Sequence, residues 1–161
     1  MTQQYATAIL AAVALAATLP AHARQDPHPD AAKLPAVRLR PDTLALFINH
    51  VAGLRVRVIS GVVNDIASPR VFTLKNERST RYPHRPNEVA IVLDSGRAVV
   101  RAGAPVVVTG IARTLLGAEM NSERPLPVLT ESERNVVEEL PLVMASSVDT
   151  PDGVHLVRPD P

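Results

Sequence analysis

Residues 54–66 read LRVRVISGVVNDI. The first half alternates, with Val56 and Val58 on one face and Arg55 and Arg57 on the other, the period of two expected of a strand with one face in a core and one in water. At Ser60-Gly61 the alternation shifts, as it does at a β-bulge or a sharp bend in a coiled strand. A long strand that bends midway is the first sign of a small closed sheet.

Working outward, Ser68-Pro69 marks a turn and VFTL at 71–74 returns as a second strand. A polar stretch follows at 75–87, and EVAIVLD at 88–94 is a third strand. Arg101 to Pro105 (RAGAP) makes a turn into VVVTGIARTLL at 106–116, a fourth strand with a second mid-strand glycine, Gly110. Thr130 and Glu133 have the spacing of a capping box, which predicts a helix running through Leu140 and stopped by Pro141. LVMASSV at 142–148 is a fifth strand, and VHLV at 154–157 is expected to hairpin back onto it. Upstream, Asp42 or Thr43 is expected to cap a short helix with Leu44, Phe47, Ile48 and Val51 on one face, ending at Gly53. The expected fold is mainly β: a five-stranded barrel, one short helix before strand one and one before strand five.

The run VRVISGVVNDIASPRVFTL, then EVAIVLD, then VRAGAPVVVTGIAR resembles the core of an OB-fold, with a long bent first strand, a hairpin to the second, a middle strand, and a turn followed by V-x-V-x-G. Within that fold the chain is most similar to the small exported bacterial OB-fold proteins, the stress-associated group included, over roughly residues 42–148. The resemblance implies a Greek-key barrel of the OB type, a short helix ahead of strand one, and a binding or interaction module without catalytic residues.

From Ala6 to Leu19 the chain reads ATAILAAVALAATL, fourteen residues without a charge, followed by Pro20 and Ala21-His22-Ala23. That is short for a bilayer span but fits the apolar region of a secretory signal peptide with small residues at −3 and −1 of a cut after Ala23. The preceding MTQQY has no Lys or Arg, a departure from the usual basic start. No cysteine follows the run, so no acylated anchor is expected there. The expected organisation is a signal peptide at 1–23, an extended Pro-rich leader at 24–41, the barrel domain at 42–157 and a tail at 158–161, with the protein periplasmic or secreted.

The chain has no cysteine, so thiol catalysis, thiolate metal sites and disulfides are all excluded. Beyond residue 23 the aromatic side chains are Phe47, Phe72 and Tyr82. Sites for aromatic cofactors, sugars or bases usually stack several rings, so that scarcity argues against them, and no cofactor is expected. His28, His50, His84 and His155 lack metal-site spacing, Asp26 to Asp30 lies in a proline-held segment, and no metal is expected. Ser146-Ser147 has no nucleophile elbow, and Glu138-Glu139 reads as solvated helix charge, so no enzyme signature is present.

Charge is unevenly placed. Residues 24–101 carry 13 Lys or Arg against 7 Asp or Glu, whereas residues 102–161 carry 4 against 9. Two mutually attracting halves or a basic face for an anionic partner would both follow. The candidate binding residues cluster in the long polar segment, which holds Lys75, Arg78, Arg81, Tyr82, His84 and Arg85, with Arg55 and Arg57 on the outer face of strand one extending it. Guanidinium groups bind phosphate or carboxylate, so the expected partner is an anionic envelope component or an acidic protein surface. Single-stranded nucleic acid is the alternative, disfavoured by the shortage of stacking rings.

Overall fold

The computed structural model describes residues 35–77, 87–116 and 125–160. The elements in chain order are β1 (Val37–Leu39), α1 (Pro41–Val51), β2 (Arg55–Ser68), β3 (Val71–Asn76), β4 (Glu88–Leu93), β5 (Arg97–Ala98), β6 (Pro105–Arg113), α2 (Glu131–Val137), β7 (Leu142–Asp149) and β8 (Val157–Arg158). Strands β2, β3, β4, β7 and β6 pair in that order, and β6 pairs back onto β2, which closes a five-stranded barrel. Four of the five junctions are antiparallel; β4 and β7 run parallel, with Ala90 to Leu93 in register with Leu142 to Ala145. The barrel is compatible with an OB-like fold.

The bend expected at Ser60-Gly61 is what allows closure. Against β6 the register of β2 slips between Val58 and Gly61, and Ser60 takes φ 57°, a left-handed conformation that few residues other than glycine adopt. The two halves of β2 then do different things on one edge. Residues 56–58 pair with β1, which runs parallel to them, and residues 61–68 pair with β3. Val37–Leu39 lies in the segment read as an extended leader. It is extended, but it is hydrogen-bonded into the sheet, so ordered structure begins upstream of residue 42 and a strand precedes the first helix.

The interior is built from the alternate residues of each strand: Val56, Val58 and Val63 of β2, Phe72 and Leu74 of β3, Val89, Ile91 and Leu93 of β4, Val106 and Val108 of β6, and Val143, Ala145 and Val148 of β7. Helix α1 closes one end, packing Leu44 and Ala45 onto this core, with Ile48 and Val51 partly buried beside them. Its start differs from expectation. Arg40 occupies the N-cap position without a side-chain cap and Pro41 takes the first helical position, where its missing N–H costs nothing. Asp42 sits one residue further in, and its carboxylate accepts from the Thr43 amide at 2.8 Å.

A second apolar cluster lies on the outside of the barrel. Val71, Ala90, Val92, Leu142 and Met144 face outward from β3, β4 and β7 and are buried under Val137 of α2, with Leu126, Leu129, Val136 and Leu140 packed around them. Helix α2 begins as the Thr130/Glu133 spacing predicts, with both halves of the capping box formed, but ends at Val137, short of Leu140. The expected hairpin of 154–157 onto the fifth strand is reduced to one bridge, Asp149 to His155, and β8 pairs instead with β5. Among the described residues no helix is long and apolar enough to cross a membrane.

Candidate functional site

The cover over β3, β4 and β7 leaves the outer face of β1, β2 and β6 as the open wall. Because Val56 and Val58 point inward, Arg55 and Arg57 point out, Arg57 exposed and Arg55 half-buried. β1 adds a residue the sequence did not single out. Arg38 is in register with Arg57 across the parallel pair, while the neighbouring Leu39 turns inward onto the core. The row continues from Arg57 to Thr109 of β6 and from Thr109 to Ser147 of β7. One line across four strands therefore reads Arg, Arg, Thr, Ser.

Like charges on adjacent strands repel, so an in-register arginine pair is normally offset by nearby acids. Among the described residues neither Arg38 nor Arg57 has an ion-pair partner. Asp42, close by in sequence on α1, is engaged elsewhere: its carboxylate holds Arg40 at 2.8 Å and accepts from the Asn76 side chain at 3.1 Å. The far end of the row is acidic. Ser147 donates to Asp149 at 3.0 Å, and Asp149 holds His155 Nδ1 at 2.9 Å. His155 faces the carboxylate and not the serine, and Ser146 gives its hydroxyl to the Thr109 carbonyl.

Of the other residues expected in the site, Lys75 is exposed on the outside of β3, but it is in register with Val62 and Glu88. The bend in β2 separates that row from Arg57, so the structure does not bring Lys75 and the arginine pair into one line. Arg78, Arg81, Tyr82, His84 and Arg85 lie outside the described residues. Arg38 was missed because the prolines around it mask a three-residue strand, and a parallel partner leaves no turn signal in the sequence.

A second polar cluster is structural. Glu133, buried at the start of α2, accepts from Ser68 Oγ at 2.5 Å through one oxygen and from the Thr130 amide at 2.8 Å and hydroxyl at 3.0 Å through the other. Burial alone would push its carboxyl up. The bonds from Ser68 and Thr130, with the Arg70 guanidinium nearby, outweigh it and hold the carboxyl below its ordinary value. The sign follows from the lowering. The stabilisation is full above the ordinary glutamate value and is lost as the pH falls through the lower folded value. Replacing Glu133 with Gln is expected to cost about 1–2 kcal/mol at neutral pH. It should also flatten the fall in melting temperature below about pH 4.3; a wild-type acid limb in E133Q would show that another group carries it.

Among the described residues no group of three or more His, Asp or Glu is placed to hold a metal ion. No family model matches this chain, and neither a curated protein nor a solved structure matches it.

Proposed function

We propose that this protein is a non-enzymatic binding module of the OB type, exported from the cytoplasm, that holds an anionic partner against the open outer wall of β1, β2 and β6. The observation that carries the reading is the Arg38–Arg57 pair, in register, exposed and, among the described residues, without an acid to offset it. Two forked cations side by side match the oxygens of phosphate or carboxylate groups, and Thr109 beside Arg57 adds a hydroxyl to the row. The bent first strand, the helix packed ahead of it and the strand order support kinship with the small exported OB-fold proteins. The uncharged run at 6–19 with Ala21 and Ala23 behind it supports export.

The reading as a single-stranded nucleic-acid binder is weaker. OB barrels bind oligonucleotides and oligosaccharides on the face of their second and third strands, and here the outside of β3 and β4 is covered by α2 and the segment before it. Phe72 is buried and Phe47 lies on α1, so no described ring stands beside the arginine pair for a base to stack on.

The test is retention on an isolated envelope fraction. R38S/R57S is expected to lose most of the retained protein at physiological salt. Both side chains are exposed and have no ion-pair partner among the described residues, so its melting temperature should stay within about 2 °C of the parent. Full retention by the double variant would sink the assignment to this wall.

A further inference from the structure

The end of the barrel closed by α1 differs from the rest of the surface in what it exposes. Nine large apolar side chains stand exposed among the described residues, and four of them lie here. Leu46 and Phe47 lie on the outward side of α1, half exposed at 50% and 46%, and Leu54 follows where the chain leaves the helix, at 47%. Val37 opens β1, in register with Val56 two residues beyond Leu54. Arg55 is the first residue of β2, and Arg57 and Arg38 sit one step up the wall. Of the described acids at this end, Asp42 is held by Arg40 and Asn76, and Glu88 on β4 by Asn64 and Thr73; Glu77 is exposed just beyond β3.

An acidic protein surface would account for the arginines but not for an apolar tip beside them, and an apolar protein groove would account for the tip alone. A bilayer surface offers both at once, phosphates in the headgroup layer and hydrocarbon just beneath it. We propose that the α1 end docks on an anionic phospholipid bilayer, with Leu46, Phe47 and Leu54 at the acyl boundary and Arg38, Arg55 and Arg57 among the headgroup phosphates. This rests on the anionic-partner reading above and names the partner. Each arginine near an anionic surface strengthens partitioning about fivefold, so removing two weakens it about 25-fold.

The absence of cysteine makes a site-resolved test direct. N49C, on the exposed side of α1, and D152C, in a turn at the opposite end of the barrel, are each labelled with a nitrobenzoxadiazole fluorophore in the full chain. Each is titrated with vesicles of phosphatidylglycerol in phosphatidylcholine and of phosphatidylcholine alone. The label at 49 should brighten and shift to the blue with the anionic vesicles only, lose that response in about 0.5 M salt, and need about 25-fold more lipid in the R38S/R57S background. The label at 152 should stay silent, so contact made by residues 6–19 cannot be mistaken for docking of α1. Silence at 49, equal responses at both positions, or the same response on phosphatidylcholine alone overturns the proposal. If envelope retention depends on Arg38 and Arg57 while position 49 stays silent on lipid, the bilayer is excluded and an acidic protein takes its place. If retention is also indifferent to the two arginines, the anionic-partner reading falls with it.

Discussion

G110A is expected to lower the unfolding free energy by about 3–5 kcal/mol and the melting temperature by roughly 10–15 °C. Gly110 lies mid-strand in β6, paired with Val56 on one side and Ala145 on the other, at a register slip against β7. A Cβ there would stand 2.2 Å from the Met144 carbonyl oxygen and 2.8 Å from Ala145 Cα. Both are backbone atoms, so no side chain can swing away and the β6–β7 ladder itself must open. G103A is the control. Gly103 has φ 81° but nothing within 4 Å of the added carbon, so it bears only conformational strain of about 1 kcal/mol. Urea unfolding of both variants separates the two causes, and a G110A midpoint no lower than that of G103A would mean that the strands do not approach so closely.

The second large effect is expected at Phe72, where truncation to alanine should cost about 3–5 kcal/mol. Phe72 is fully buried, is the largest of the fully buried side chains among the described residues, and lies in register with Ile66 and Ile91 across the two neighbouring strands. Its surroundings make the cost high. The interior is dominated by valines, short and stiff about their first torsion, and they cannot reach into the space a phenyl ring leaves. F72L keeps most of the volume and should cost less than about 1.5 kcal/mol. Equal losses for F72A and F72L in urea midpoints would show that the barrel collapses around the site and that ring volume is not what it needs.

Two of the barrel strands, β2 and β6, were legible from alternation between a valine-rich face and a more polar one, and β3, β4 and β7 as short apolar runs bounded by turn signals. The strand at 54–66 is observed as 55–68, and that at 88–94 as 88–93. The bend at Ser60-Gly61 was legible for the same reason, since a bulge must break the period of two. The capping box at Thr130 and Glu133 is a local contract between residues three apart, which a sequence displays in full. What was not legible depended on distant chain. β1 is three residues long and gains its hydrogen bonds from β2, and β5 and β8 have two residues each and exist because they meet. That α2 would lie over the outside of β3, β4 and β7 was hidden too, because Val71, Val92 and Met144 sit within runs that are apolar on both faces and give no alternation. The candidate site followed the same division. Arg55 and Arg57 could be assigned outward from their own strand, whereas Arg38 became visible only once β1 was seen in register beside them.

The parallel junction between β4 and β7 bears on the order in which the molecule can be made. Ala90 must wait for Leu142 and Leu93 for Ala145, and β7 also joins β6 to β4 on that side of the barrel. A chain emerging from its N-terminus can pair β2 with β3 and β3 with β4 early, but its hydrophobic interior stays unsealed until residue 149 is out. Contacts of such long sequence separation form late and slowly. Folding is thereby tied to the arrival of β7, and a copy that lacks it keeps the apolar faces of β2, β3 and β4 open to water and proteases.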